Sequence, residues 1–217
     1  MTMNHEPDLR HALPAVTEAE LAALRDRLPA ITDAELAVLR DRLAARADAE
    51  GVLDVAYRTL DTPVGTLLLA ATEAGLVRVA YPVEGHDQVL QALAAQVSPR
   101  VLNAPRRLDP AAREIDEYFA GRRRAFDLPL DYRLATGFRR KVLSHLPAIG
   151  YGNTASYATV ATAVGSPRAF RAVGTACATN PLPVVLPCHR VIKSDGDLGR
   201  YRGGPAAKRL LLDLEAA

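Results

Sequence analysis

SYATVATAVGSPRAFRAVGTACA, residues 156–178, decides how the second half of this chain folds. It reads as two short helices, Ser156 to Val164 and Arg168 to about Ala178, on either side of a Gly165-Ser166-Pro167 break. Ser156 can cap the first helix and Gly165 can end it; Ser166 can cap the second, and Pro167 suits a first turn, where its missing N–H would have no partner anyway. The pair has the form of a helix-turn-helix. Its second helix is rich in small residues, so its backbone can approach a groove closely, but it is poorly equipped to hydrogen-bond base edges in the major groove. A further helix over Gly137 to Leu146 precedes it.

Upstream the period changes. Val52 to Leu60, Thr66 to Ala71 and Leu76 to Tyr81 are rich in apolar and β-branched residues, with turn signals at Asp61-Thr62-Pro63 and Glu73-Ala74-Gly75, and they read as a small antiparallel sheet. Helices follow at 85–98 and 110–120, the second marked by Asp109 as cap and Pro110 in its first turn. The first fifty residues repeat at a fifteen-residue period. Thr17 to Glu20 and Thr32 to Glu35 are capping boxes, each followed by a leucine stripe, Leu21/Leu24/Leu28 and Leu36/Leu39/Leu43, and the helices are interrupted at Pro29. This hairpin either packs on the body or meets a partner. The fold class is therefore α+β, with a helical extension over 1–50, a small α/β domain over 52–132 and a mostly helical domain over 136–217.

Composition limits the function classes. With 217 residues, 49% hydrophobic and 24% charged, the chain can bury a core. Cys177 and Cys188 are too few for a structural zinc cluster and suggest no disulfide framework. There is no basic-then-apolar leader and no run of 18 apolar residues, so a cytoplasmic protein without a membrane partner is expected. Net charge is only +2, so any nucleic-acid footprint must be local.

After the second helix stands Asn180-Pro181-Leu182-Pro183-Val184-Val185-Leu186-Pro187-Cys188-His189-Arg190-Val191-Ile192. This segment resembles the O6-alkylguanine-DNA alkyltransferase family, whose Pro-Cys-His-Arg-Val signature is very specific. The likeness extends to Ser156-Tyr157, to Arg171-Ala172-Val173-Gly174, to Gly199-Arg200-Tyr201-Arg202-Gly203-Gly204, and to Lys208 and Glu215. It covers residues 52–217, most strongly from 136 onward. It implies a ribonuclease H-like first domain, a winged helix-turn-helix-like second domain, a double-stranded DNA partner bound through the minor groove, a monomer, and neither cofactor nor metal. The cysteine ligands of zinc-binding relatives have no counterparts here.

The implied reaction moves an alkyl group from guanine O6, or thymine O4, to Cys188. That needs a thiolate, and a free thiol is only a few per cent ionised at neutral pH. His189 is the implied base, reaching the sulfur through a water, with Glu215 behind it. Arg171 is the finger that replaces the flipped base and Tyr157 the side chain that presses on its 3′ phosphate; Gly174 and Ser194 belong to the same DNA face. Tyr201 is implied to donate to N3, the carbonyls of Cys188 and Val191 to accept from the exocyclic amine, and the N–H of Arg202 to contact O6. Asn180 ties the hinge and Lys208 supports the site. Where the family has Phe-Gln and a tryptophan, this chain has Phe138-Arg139 and Leu143, which implies altered packing, and Phe170 replaces a small residue beside the finger. Two other readings compete: a damage sensor that flips the base without repairing it, although such relatives lack the cysteine, and a turnover cysteine hydrolase.

Overall fold

Strands β1 (Val55–Leu60), β2 (Leu67–Thr72) and β3 (Gly75–Ala80) form a meander in the computed structural model, which describes residues 17–20, 23 and 32–216. Every residue of β2 and β3 is buried, because the sheet is covered on both faces. Val55, Leu68, Ala70, Val77 and Ala80 pack under α2 (His86–Gln96) through Val89 and Leu93. The alternate residues Ala56, Leu67, Leu69 and Val79 join the main core with Ile115 and Tyr118 of α3 (Asp109–Phe119) and with the helical domain. The sheet is not purely antiparallel. A short β4 (Val101–Asn103) returns after α2 to pair parallel with β1, giving the order β3-β2-β1-β4; three residues carry too little pattern to be read as a strand. Asp109 is the first residue of α3, not its cap, and its carboxylate accepts from Arg58 at 2.8 Å.

The helical domain follows as α4 (Gly137–His145), a two-residue β5 (Ala155–Ser156), α5 (Tyr157–Ala163), α6 (Phe170–Ala178), β6 (Val191–Ile192) and α7 (Gly204–Ala216). The Ser156 hydroxyl accepts from the Thr159 N–H at 3.0 Å, the expected cap. Gly165 has φ +71°, and the Ser166 N–H donates to the Ala161 carbonyl, which closes α5 in the left-handed manner that glycine allows. The second helix starts later than expected. Ser166 accepts the Ala169 N–H through its backbone, so Ser166-Pro167-Arg168-Ala169 is a turn, and α6 opens at Phe170 without a side-chain cap. Leu143, where the resemblance leads one to expect a tryptophan, is fully buried.

Residues 1–39 and 40–217 are separate compact units. The capping boxes close as expected: the Thr17 N–H donates to Glu20 at 2.9 Å and the Thr32 N–H to Glu35 at 2.9 Å. The first leucine stripe and the Pro29 break lie outside the described residues. In α1 (Asp33–Ala49) the second stripe is not buried: Leu39 and Leu43 are exposed, whereas Ala44 and Ala47 enter the core with Leu53 and Ala104. Small side chains let the helix end lie close to the body. Among the described residues no helix is long and apolar enough to cross a membrane.

Candidate active site

Residues 181–190 form a fully buried loop, which is unusual because a buried backbone must satisfy its own polar groups. This sequence manages it in two ways. Pro181, Pro183 and Pro187 have no N–H to satisfy, and the Asn180 side chain serves much of the rest. Its Oδ1 accepts the Leu182 N–H at 2.9 Å and its Nδ2 donates to the Leu186 carbonyl at 2.9 Å. Val184 is held at φ +73°, a strained conformation for a β-branched residue, immediately ahead of the signature. The loop ends in a single 3-10 turn, Cys188–Arg190, that presents the sulfur.

Cys188 is 2% exposed and its Sγ lies 3.2 Å from Asn180 Nδ2. Burial pushes the thiol up to about 11; the Asn180 hydrogen bond and the Lys208 charge pull the other way without prevailing. At rest it is a thiol. His189 beside it is fully buried, and burial holds its imidazole below the ordinary range even though Glu215 favours the charged form. Its Nε2 is 2.8 Å from Glu215 Oε1. Burial alone would raise the Glu215 carboxyl, but hydrogen bonds from His189, Arg190 and Tyr118 hold it at about 2. An ionised carboxylate only accepts, so Nε2 carries the proton, and in a neutral ring the lone pair is then on Nδ1. Nδ1 is buried and has no hydrogen-bond partner among the described residues, so it is the basic atom of the site.

Glu215 is held from several elements. Arg190 grips it as a fork, Nε to Oε2 at 2.8 Å and Nη2 to Oε1 at 2.9 Å, and Arg190 Nη1 donates to the Ile149 carbonyl. The Tyr118 hydroxyl, from α3 of the first domain, donates to Oε1 at 2.7 Å, and the Gly152 N–H reaches Oε2 at 3.3 Å. Arg190 neutralises Glu215, which leaves an uncharged imidazole beside an uncharged thiol. Lys208 is fully buried, and burial lowers its affinity for a proton; its Nζ donates to the Val191 carbonyl at 2.6 Å and to that of Leu198. The Cys188 carbonyl accepts the Val191 N–H within the turn. Each of these carbonyls retains a second lone pair.

Tyr201 and Arg202 stand on the loop before α7, and the Tyr201 hydroxyl lies 2.9 Å from that of Tyr81. The Tyr157 ring, opening α5, rests against this loop and against α6: a Cβ on Gly199 would lie 3.0 Å from its hydroxyl, and one on Gly174 would be 3.9 Å from the ring. Contacts thus link Asn180 to Cys188, His189 to Glu215 and Tyr201, and Lys208 to Val191, while Tyr157 rests on the loop that carries Tyr201 and Arg202. Arg171 is exposed on α6, its guanidinium 5.8 Å from the centroid of the Phe170 ring, which is itself 46% exposed. Ser194 is exposed in the turn after β6, apart from the buried cluster. Sequence reasoning missed Tyr118, Arg190, Tyr81 and Glu84. Arg190 lay inside the signature and could have been found there; the other three belong to the first domain and carry no local signal.

Residues 137–217 match the family model described as 6-O-methylguanine DNA methyltransferase, DNA binding domain, and residues 55–132 match that of its ribonuclease-like domain. A methylated-DNA–protein-cysteine methyltransferase of Methanosarcina barkeri is 36% identical over 73% of this chain and 96% of its own length. The constitutive enzyme of that name from Bacillus subtilis is 39% identical over 73% of this chain and 94% of its own. Among solved structures, Mycobacterium tuberculosis OGT in complex with DNA is 36% identical, with a TM-score of 0.63 over 74% of this chain and 92% of that one. With a ribonuclease-like domain followed by a helical DNA-binding domain in the same order, this chain belongs to the 6-O-methylguanine DNA methyltransferase family.

Proposed function

We propose that this methyltransferase repairs DNA by direct reversal, taking the alkyl group of O6-alkylguanine onto Cys188 irreversibly, one group per chain, without cofactor or metal. O4-alkylthymine, which offers a similar exocyclic ether, is the second substrate. The chain works as a cytoplasmic monomer on double-stranded DNA, entering the minor groove.

The observation that carries this reading is a buried thiol next in sequence to a histidine whose Nε2 is fixed by Glu215 and whose Nδ1 has no partner among the described residues. A water links Nδ1 to Sγ and passes the thiol proton to the imidazole as the alkyl carbon is attacked. The carbon–O6 bond breaks, its electron pair stays on the purine, and N3 takes a proton from Tyr201. Carbonyls of Cys188 and Val191 read the exocyclic amine and the Arg202 N–H reads O6. Arg171 fills the gap in the stack, Tyr157 presses on the 3′ phosphate, and Gly174 and Ser194 lie against the backbone. The Tyr157 phenol stays protonated, pushed up to about 12 by burial, and rests on the same loop as Tyr201.

Duplex DNA carrying labelled O6-methylguanine tests the reading. One label per protein supports it. Label left on the DNA would favour a sensor, and repeated turnover a hydrolase; either would overturn it.

A further inference from the structure

One corner of the first domain, Arg78 to Glu84, reaches both the loop that carries Tyr201 and Arg202 and the Pro181 end of the buried loop before Cys188. Tyr81 directly follows β3, is 1% exposed, and places its hydroxyl 2.9 Å from that of Tyr201, the rings meeting edge-on at 71°. Gly203 runs against the same ring, where a Cβ would stand 2.6 Å from Tyr81 ring carbons, so only glycine lets the loop come this close. Three residues on, Glu84 accepts from Arg202 Nε and from Arg78 Nη2 on one oxygen, and from the Tyr81 N–H at 2.9 Å on the other. Arg78 Nη1 donates to the Pro181 carbonyl at 3.1 Å, and the Val79 N–H donates to that same carbonyl at 2.8 Å. Pro181 begins the buried loop that leads to the sulfur.

We propose that this corner is a clasp, in which Tyr81 and Glu84 are positioning residues that hold the 199–204 loop in the shape that receives the flipped base. The inference rests on the reading of Cys188 given above and extends it to the first domain. Two phenols in hydrogen-bond contact own two protons and use one between them. With Tyr81 donating, Tyr201 keeps its own proton for the pocket, and its hydroxyl can no longer rotate freely. The Glu84 carboxylate, shared by Arg78 and Arg202, ties the next residue of the loop to the strand that also grips Pro181. Removing the corner's polar atoms leaves Cys188, His189 and Glu215 in place but loosens the 199–204 loop.

The full chain is alkylated with two reagents: O6-benzylguanine as the free base, which needs the pocket, and iodoacetamide, which needs only the thiol. Tyr81→Phe keeps the ring against Gly203 and removes one hydroxyl. Expected is a fall of about ten-fold in the rate constant with O6-benzylguanine at low concentration, the size of one lost hydrogen bond, and an unchanged rate with iodoacetamide. Tyr81→Phe/Tyr201→Phe should be no slower than Tyr201→Phe alone, because Tyr81 acts through that hydroxyl. Glu84→Gln, which keeps both tyrosines, should raise the half-saturating O6-benzylguanine concentration several-fold with the iodoacetamide rate again unchanged, and it carries the test if Tyr81→Phe does not fold. Wild-type rates for both single variants, equal losses with both reagents, or additive losses in the double variant would each overturn the clasp. A wild-type chain that reacts with iodoacetamide but takes no benzyl group would overturn the reading of Cys188 itself, and the clasp with it.

Discussion

Glu215 accepts hydrogen bonds from His189, Arg190, Tyr118 and Gly152, and this saturation has consequences for stability as well as chemistry. Its folded carboxyl titrates at about 2, below the 4.5 of an unperturbed glutamate. Because the folded value is depressed, the stabilisation is present above pH 4.5 and drains away as pH falls towards 2, an effect of about 3 kcal/mol. Melting temperature followed across that window should fall in the wild type, and Glu215→Gln should lack this component. The variant should also be less stable at neutral pH by about 3–5 kcal/mol, because Arg190 is left buried without its counter-charge. The Tyr118→Phe change removes one buried donor to a carboxylate and should cost about 1–3 kcal/mol, read as a shift of several degrees in melting temperature. The pH dependence of transfer separates the roles of base and thiol. A neutral His189, held below 6.5, keeps the wild-type single-turnover rate nearly flat above that point, whereas in His189→Ala the thiolate must come from solvent and the rate should climb with pH towards about 11. A climbing wild-type profile would mean that His189 is not the base. Cys188 and His189 were legible because they stand in the Pro-Cys-His-Arg-Val signature, and Glu215 because the resemblance extends to the last helix. Tyr118 lies 97 positions from Glu215, and no local pattern reports a contact of that span.

The helix pair at 157–178 was legible for a different reason: its punctuation is chemical. Ser156 caps and Gly165 ends α5 as their side chains dictate, but Ser166 and Pro167 are equally good turn residues, and here the turn prevails, so α6 begins at Phe170. The buried loop that follows could not be read beyond its prolines, since satisfying it depends on Asn180 and a strained Val184 acting together. In the extension the capping boxes were legible, but the buried face was not: a leucine stripe promises burial, and Ala44 and Ala47 supply it instead. On α6, Arg171 is exposed with its guanidinium over the Phe170 ring, which suits a side chain that leaves the protein for the base stack. Arg171→Ala should therefore slow repair in duplex DNA far more than transfer from free O6-benzylguanine, for which nothing is flipped. Equal losses in single-turnover assays on the two substrates would withdraw the finger.

Across the described residues the first domain meets the candidate site through Tyr118, which donates to Glu215, and through the Tyr81–Glu84 corner, which contacts Tyr201 and Arg202. Composition could not show this, because both contacts are made by ordinary-looking residues of a sheet and a helix. It did bound the electrostatics. With a net charge of +2, a DNA footprint confined to a local patch and a few helix N-termini neutralises few phosphates, and log affinity for DNA against log salt should then have a slope on the order of −3 to −5, as about −0.9 per phosphate requires. A much steeper slope in a titration would point to a basic surface elsewhere. The two thiols allow the sharpest distinction. Cys177 is buried in α6, and burial raises its thiol above that of Cys188, with no hydrogen-bond donor to it among the described residues. Mixing the chain with an equimolar duplex holding one O6-methylguanine, then weighing the intact protein and its peptides, should give one methyl group per chain, all of it on the peptide containing Cys188 and none on Cys188→Ser. A methyl group on Cys177, or restored guanine with an unmodified protein, would contradict it.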